Sequence, residues 1–508
     1  MLAHGTPGTA GARCMPTLGP EVPRTMTKPN ATSPVPSPKG TRDFYPDQML
    51  AQNYITRLWR DTAIRHGFEE INGPTFEMLE LYTRKSGEGI VGELFRFRRE
   101  GGEDDYALRP EFTPTLARMY AAKAASLPSP TKWFSIGPYF RAEKPQRGRL
   151  REFLQWNVDV LGGDDAAATA SFDADTMAVI AGALESAGIG APQTRIKINS
   201  RPFTETHLRM RGVAQSDIPK AFALIDRKSK MSDEQFRAEA NSLGFKADAF
   251  FERAQNFTFF ALLGNMKVLT EAGDDLGTVN LRESLGVVAS ECNLRVKSSW
   301  FDVDPTIVRG LAYYTGTVFE VIAEGERAIA GGGRYDNLIE LFGGPPTPAV
   351  GFGMGDVVLG LLLEDKGLMP QGAELLDALS RPGASLRPEA FVVAGSEDED
   401  ALVEPLLANL RRGIEREGFD GKPWAADRYT VRPMHARRTY KTTRNLKKLL
   451  NDAEKQHARF AIVLHGPDKV QVKDLDKREE LVHDRGDFSV HPASDAYVGK
   501  AIASRLPF

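Results

Sequence analysis

Cysteine is nearly absent from this sequence: its 508 residues hold two, Cys14 and Cys292. They are far apart and lack metal-ligand spacing, so they offer neither a disulfide framework nor a metal site, which suits a reducing compartment. Net charge is also small, with Lys+Arg 65 against Asp+Glu 68 for a formal −3. No global basic field draws the chain to nucleic acid, so any such binding must rest on local patches. No apolar run approaches the ~20 residues that cross a bilayer. The N-terminus lacks the apolar stretch of a secretory signal, and the expected location is the cytoplasm. No Gly-x-x-x-x-Gly-Lys-Ser/Thr occurs either, which excludes a Walker-type phosphate loop.

What is present fits an ordinary soluble protein, with hydrophobic residues at 41% and charged residues at 26%. The length argues for two or three domains. Residues 1–38 are rich in Pro, Gly, Thr and Ala without apolar periodicity, and are read as a disordered tail in which Met26 is a second candidate start. Helical spacing predicts an amphipathic helix from about Asp47 to His66, ended by Gly67. Residues 68–76 read as a strand up to Pro74. Further strands are expected at 133–141, 151–162, 195–198 and 316–323, and helices at 163–190 and 357–363. From about 200 to 300 the pattern is helical and charged, as in an insertion. Residues 366–389 read as a linker, and strands alternate with helices from 390 to 508, as in a small α/β domain.

The densest chemical signal is the loop between the strands at 133–141 and 151–162. It carries Arg141, Lys144, Arg147, Arg149 and Arg151. Guanidinium forks match phosphate geometry, so this hairpin could hold a polyphosphate, although solvated hairpin tips are also often basic. Arg151, Phe153, Gln155 and Asp159 share one parity on the second strand and so one face of a sheet. Such a set is awkward as core and suits a site.

This segment resembles motif 2 of class II aminoacyl-tRNA synthetases, and the stretch ending at Pro74 resembles their dimer-forming motif 1. Other stretches narrow the resemblance to histidyl-tRNA synthetases: Lys39-Gly40-Thr41-Arg42-Asp43, Arg84-Lys85-Ser86-Gly87-Glu88, Leu108-Arg109-Pro110-Glu111, Arg309-Gly310-Leu311-Ala312-Tyr313-Tyr314 and Gly331-Gly332-Gly333-Arg334-Tyr335-Asp336. The resemblance implies an α+β fold. A class II antiparallel-sheet catalytic domain at 39–365 would carry the helical insertion, and a small α/β anticodon-binding domain would span 390–508. It implies ligation of L-histidine to tRNA(His) through a histidyl-adenylate, with ATP and Mg²⁺, in a homodimer. By the same resemblance Glu111, Thr113 and Gln155 hold the α-amino group of histidine, and Asp159 and Tyr314 meet its imidazole. Tyr313 lines that pocket, Arg141 and Arg309 meet the α-phosphate from opposite sides, and Phe153 stacks on adenine. The basic stretch Arg437–Lys448 would face the anticodon loop.

Two departures accompany the likeness. Motif 3 of the class ends in an arginine that binds the γ-phosphate, within a Gly-Phe-x-Met-Gly-x-Glu-Arg pattern. Here Gly351-Phe352-Gly353-Met354-Gly355-Asp356-Val357-Val358 puts valines at the last two places. Ala312 also replaces an acidic residue often found in the first histidine motif. Arg149 or Arg334 are candidates to supply the missing charge. The alternative reading is a catalytically silent paralogue, such as a regulatory subunit of ATP phosphoribosyltransferase or a tRNA sensor.

Overall fold

The computed structural model describes residues 35–84, 92, 94–163, 165–228, 231–246, 285–309, 313–323, 328–465 and 470–481. Lys39–Phe508 forms one compact unit. Of the other, Met1–Pro38, only 35–38 are described, without regular secondary structure. The Arg84–Glu88 motif beyond Arg84, Gly310-Leu311-Ala312, and 247–284 of the expected insertion lie outside the described residues.

The chain opens with the helix Pro46–Arg65, whose Ile55, Trp59, Ala63 and Ile64 are buried on one stripe. Gly67, at φ +80°, turns the chain out of it, a conformation that costs glycine least. The expected strand at 68–76 is only partly formed. β1 covers Glu69–Glu70, the chain then leaves the sheet, and β2 (Phe76–Met78) joins β3 (Arg96–Arg98) and β4 (Asp105–Leu108) in a small separate sheet. The break falls at Gly73-Pro74, since proline cannot donate to a ladder.

The main sheet has eight strands in the order β1-β5-β6-β11-β10-β9-β7-β8. β5 (Thr131–Phe140) and β6 (Glu152–Leu161) form a long antiparallel hairpin, followed by β7 (Thr194–Ser200), β8 (Phe301–Val303) and β9 (Thr317–Ala323). β10 (Ala328–Arg334) and β11 (Ala349–Gly355) lie in its centre. One face is covered by the Pro46–Arg65, Ala166–Ser186 and Asp356–Asp365 helices. Trp59, Trp156, Val158, Phe352 and Leu359 pack together there. At about 25 cal/mol per Å² of apolar surface, this layer is the main source of stability. The other face holds the polar set described below. The described part of 200–300 is helical at Arg201–Met210, Ile218–Asp226, Asp233–Ser242 and Val287–Arg295.

Residues 366–389 are more ordered than a linker. They contain the helix Gly372–Ser380, with Leu375 buried, and Arg57 of the first helix donates to the carbonyls of Leu379 and Arg381. Beyond them β12 (Ala390–Ala394), the helix Asp400–Arg412, β13 (Ile414–Glu415), β14 (Tyr429–Val431), β15 (Ala436–Arg438), the helix Leu446–Lys455, β16 (Phe460–Leu464), β17 (Val470–Asp474) and β18 (Glu479–Leu481) follow. Five of these strands form a sheet in the order β15-β12-β16-β17-β18, with its own core of Val392, Leu406, Leu410 and Ile462. The helix that follows the basic stretch begins at Leu446, where the Asn445 side chain caps it.

Candidate active site

The central strands β10 and β11 carry glycine at alternate positions, Gly331 and Gly333 on one and Gly351 and Gly353 on the other. A sheet with no side chains at four adjacent points is a floor on which longer side chains can lie flat. A Cβ on Gly351 would overlap Oδ1 of Asp159, and one on Gly353 would stand 2.8 Å from Nε2 of Gln155. A Cβ on Gly333 would come 2.9 Å from the Tyr314 ring, and one on Gly331 would come 2.5 Å from Cζ of Arg309. The floor therefore holds residues from β6 and from the 309–314 segment, which are distant in sequence.

Two carboxylates are buried beside it. Asp159, only 3% exposed, accepts from the Tyr335 hydroxyl at 2.5 Å. Burial raises its pKa to about 7, against the lowering effect of that hydrogen bond. Glu111 lies just before the helix Thr113–Ala121 and accepts from the Tyr313 hydroxyl through Oε2 at 2.6 Å. Burial raises its pKa as well. Its other oxygen, Oε1, is buried without a partner among the described residues. A buried acceptor left open is costly, which is the mark of a position completed by a ligand donor. Thr113, half-buried, lies beside the Tyr313 hydroxyl. Tyr313 packs against Tyr314 and Tyr335, with ring centroids 5.0 and 6.0 Å away. The result is a tyrosine-walled pocket with two acidic ends.

Arg141 begins the loop after β5. Its Nε donates to the Pro110 carbonyl at 3.2 Å and its guanidinium lies over Phe153 at 5.3 Å, which presents a flat cation-aromatic pair beside Glu111. Arg309 stands across the floor. It adopts φ +54°, a left-handed conformation rare outside glycine, which costs on the order of 1 kcal/mol or more and marks a position held for a purpose. Its Nη1 pairs with Glu320 at 2.6 Å, while its Nε is buried without a partner among the described residues.

Neither cation proposed from sequence for the missing motif 3 charge is free. Arg334 is buried and bound to Asp173 and Asp336 at 2.6 and 3.0 Å, so it ties β10 to the Ala166–Ser186 helix. Arg149 pairs with Glu143 inside the loop. Val358 is 6% exposed in the apolar core, and Asp356 meets Arg42 at 2.6 Å while accepting from the Leu154 amide. The cation that the fold brings to the altered segment is Arg42, itself paired with Asp356, and its Nε is buried without a partner among the described residues.

A family model described as Histidyl-tRNA synthetase matches residues 40–355. The chain belongs to the histidyl-tRNA synthetase family. Among its relatives, the histidine--tRNA ligase of Opitutus terrae is 39% identical over 69% of this chain and 80% of that protein. The corresponding protein of Haloarcula marismortui is 37% identical over 76% and 88%. The chloroplastic/mitochondrial histidine--tRNA ligase of Arabidopsis thaliana is 35% identical over 73% and 75%. The histidyl-tRNA synthetase structure from a Nostoc species shares the fold, with TM-score 0.53 at 20% identity, over 93% of this chain and 100% of that one. An ATP phosphoribosyltransferase regulatory subunit/histidyl-tRNA synthetase from Bacillus halodurans shares it equally, at TM-score 0.55 and 20% identity over 87% and 100%. The α+β architecture of this synthetase family is thus the architecture of this chain, with a main sheet that is antiparallel except at its edge strands β1 and β8, which pair parallel.

Sequence reading missed Tyr335 and Glu320. Tyr335 sits inside a motif already singled out, but its pairing with Asp159 spans 176 residues and needs the sheet register. Most of the basic stretch Arg437–Lys448 is paired internally. Arg438 binds Glu404 and Lys441 binds Asp452 at 2.6 and 2.7 Å, and Arg444 pairs with Asp400. Lys447 and Lys448 remain exposed.

Proposed function

We propose that this protein attaches L-histidine to tRNA(His) in two steps, using ATP. The carrying observation is the buried Glu111 carboxylate with its open Oε1, set in the same tyrosine-walled pocket as Asp159. One carboxylate receives the α-amino group, with Thr113 and Gln155 beside it. The other faces the imidazole with Tyr314, and Tyr313 and Tyr335 hold the two carboxylates in place. A ligand lacking the ring donor would leave Asp159 unpaired in a dry site, and rejection of such analogues is strong for that reason.

The histidine carboxylate attacks the α-phosphorus of ATP. A carboxylate oxygen–phosphorus bond forms, the bond to the bridging oxygen breaks, and pyrophosphate leaves with the electron pair. The nucleophile is already ionised, so this step needs position and charge neutralisation rather than a base. Arg141 and Arg309 close on the α-phosphoryl oxygens from opposite sides, and Phe153 offers its face to adenine. Arg42, anchored by Asp356, takes the place of the motif 3 arginine at the outer phosphates. Mg²⁺ arrives with the triphosphate, where it supplies further neutralisation. The terminal ribose hydroxyl of the tRNA then attacks the adenylate carbonyl, forming the ester and releasing AMP.

In this reading residues 39–365 are the catalytic domain, residues 366–389 connect it, and residues 390–508 bind the anticodon, with Lys447 and Lys448 as backbone contacts. A homodimer is supported by an apolar patch after motif 1. Phe76, Met78 and Phe97 are 49, 43 and 43% exposed, and Phe76, Phe97 and Tyr106 pack as a ring cluster. Exposed clusters of this kind mark association surfaces. Among the described residues no helix is long and apolar enough to cross a membrane, and the proposed location is the cytoplasm. Charging of a tRNA(His) transcript with labelled histidine tests the proposal. Histidine binding without charging would support the silent paralogue instead.

A further inference from the structure

A cavity of about 330 Å³ lies between the catalytic core and the C-terminal unit. It is bounded by the end of the first helix, the Ala166–Ser186 helix, the turn at 188–190 and the end of the Val287–Arg295 helix. The Asp400–Arg412 helix and β13–β14 close it from the other side. Six lining residues are cationic and two are acidic. Half of those cations are neutralised nearby. Arg295 binds Asp175 and Glu404, Arg412 meets Glu185, and Arg428 binds Glu415.

Arg65, Lys297 and Arg411 have no carboxylate at ion-pair distance among the described residues, although Asp61 and Glu389 act on Arg65 and Arg411 acts on Asp175 and Glu404 at longer range. Arg65 has no ion-pair partner among the described residues, and its Nε is buried without a hydrogen bond. Arg411 is 6% exposed and uses its Nε on the Ala436 carbonyl, with no carboxylate at ion-pair distance. His66, 9% exposed, lines the same space with no partner for its ring among the described residues. Its Nε2 lies close to Gly182, where an added Cβ would stand 3.3 Å away, so the absent side chain there leaves room for the ring at the cavity wall.

We propose that this cavity is a binding site for a multiply charged oxyanion, of the phosphate or pyrophosphate class, held by Arg65, Arg411 and the His66 ring N–H. Two guanidinium forks and a ring donor converge on one space, which matches the tetrahedral acceptor set of a phosphoryl group. Arginine does not escape its charge by losing a proton, so two guanidinium groups lining one cavity without a carboxylate at ion-pair distance favour an anion rather than neutralisation. At about 30 Å³ per water the space holds roughly ten waters, room for a pyrophosphate and its residual hydration. A nucleic-acid duplex is too wide to reach Arg411 and His66, which are 6 and 9% exposed. Burial and the nearby Arg411 hold the His66 pKa well below its ordinary value, and its ring is a neutral donor. The anion would join the first helix to the Asp400–Arg412 helix and so stiffen the packing between them. The inference does not depend on the ligase reading.

Isothermal titration of inorganic pyrophosphate, and separately of inorganic phosphate, into the full chain tests it. The ATP site is first filled with histidine and α,β-methylene-ATP, so that only a second site can respond. One further site is expected, with affinity for pyrophosphate reduced at least tenfold by Arg65→Gln or Arg411→Gln, and with pyrophosphate exchange activity unchanged. Arg65 has no partner to lose, so Arg65→Gln carries the test if the Arg411 variant fails to fold. Absence of binding with the ATP site filled, or equal affinity in the Arg65→Gln protein, would overturn the proposal. In tungstate-soaked crystals an anomalous peak between Arg65 and Arg411 would support it, and peaks only elsewhere would contradict it.

Discussion

Oδ1 of Asp159 occupies the space that a side chain on Gly351 would need, because β6 and β11 pair those two residues directly across the sheet. The glycine exists for the carboxylate. Gly351→Ala must push Asp159 off the floor and away from the Tyr335 hydroxyl. We expect histidine KM to rise on the order of 100-fold, about 2.7 kcal/mol, while ATP KM changes little. Steady-state kinetics varying each substrate in turn checks this, and equal loss for both substrates would mean general damage to the sheet.

Asp159 also makes stability depend on pH. Its pKa is raised from 3.8 to about 7 by burial, so between those values the folded state binds more protons than the unfolded one. Stability contributed by this group therefore falls as pH rises through that window, by up to ~4 kcal/mol. Asp159→Asn, neutral throughout, should raise the melting temperature of the ligand-free protein at pH 8 and lose that advantage toward pH 4. Thermal unfolding of both proteins across pH decides it, and a destabilised variant at pH 8 would refute the cause given.

Arg309 and Arg334 stand in neighbouring motifs with opposite expected effects. Arg334→Met strips a buried cation from Asp173 and should cost about 3–5 kcal/mol of stability. Arg309→Ala should leave the fold within about 1 kcal/mol and lower kcat at least 100-fold with histidine affinity mostly intact. Denaturant titration beside pre-steady-state kinetics separates them. A stable, inactive Arg334 variant would return that residue to the nucleotide site.

Much of this was legible in the sequence, and its limits are physical. The β5–β6 hairpin and its arginine loop read directly, because alternation along a strand is local. Glu111, Asp159 and Tyr314 were placed by their motifs. The strand expected at 68–76 fails because Gly73-Pro74 breaks it, and the linker at 366–389 hides a short helix whose anchor, Arg57, lies over three hundred residues away. Arg334 read as a free cation because Asp173 lies on a distant helix, and Arg42 passed unnoticed because its partner Asp356 lies 314 residues on. Charge partners across such spans are set by topology, which composition does not carry.

Arg42→Ala tests the replacement for motif 3. It should raise ATP KM roughly 10- to 100-fold and leave histidine binding unchanged. Arg42→Lys should recover only part of the loss, because an ammonium cannot reproduce the guanidinium fork. Unchanged ATP KM in Arg42→Ala would remove this residue from the nucleotide site.

Phe76→Asp with Phe97→Asp places charge in the exposed ring cluster after motif 1. Sedimentation should show the native chain as a dimer and this variant as a monomer. A monomeric native chain would contradict the association surface.

The central claim is that the pocket of Glu111 and Asp159 activates histidine despite Val357 and Val358. Histidine-dependent exchange of labelled pyrophosphate into ATP, measured on the purified full chain, tests it most directly. Exchange is expected with histidine and none with other amino acids. Histidine binding without any exchange would contradict it.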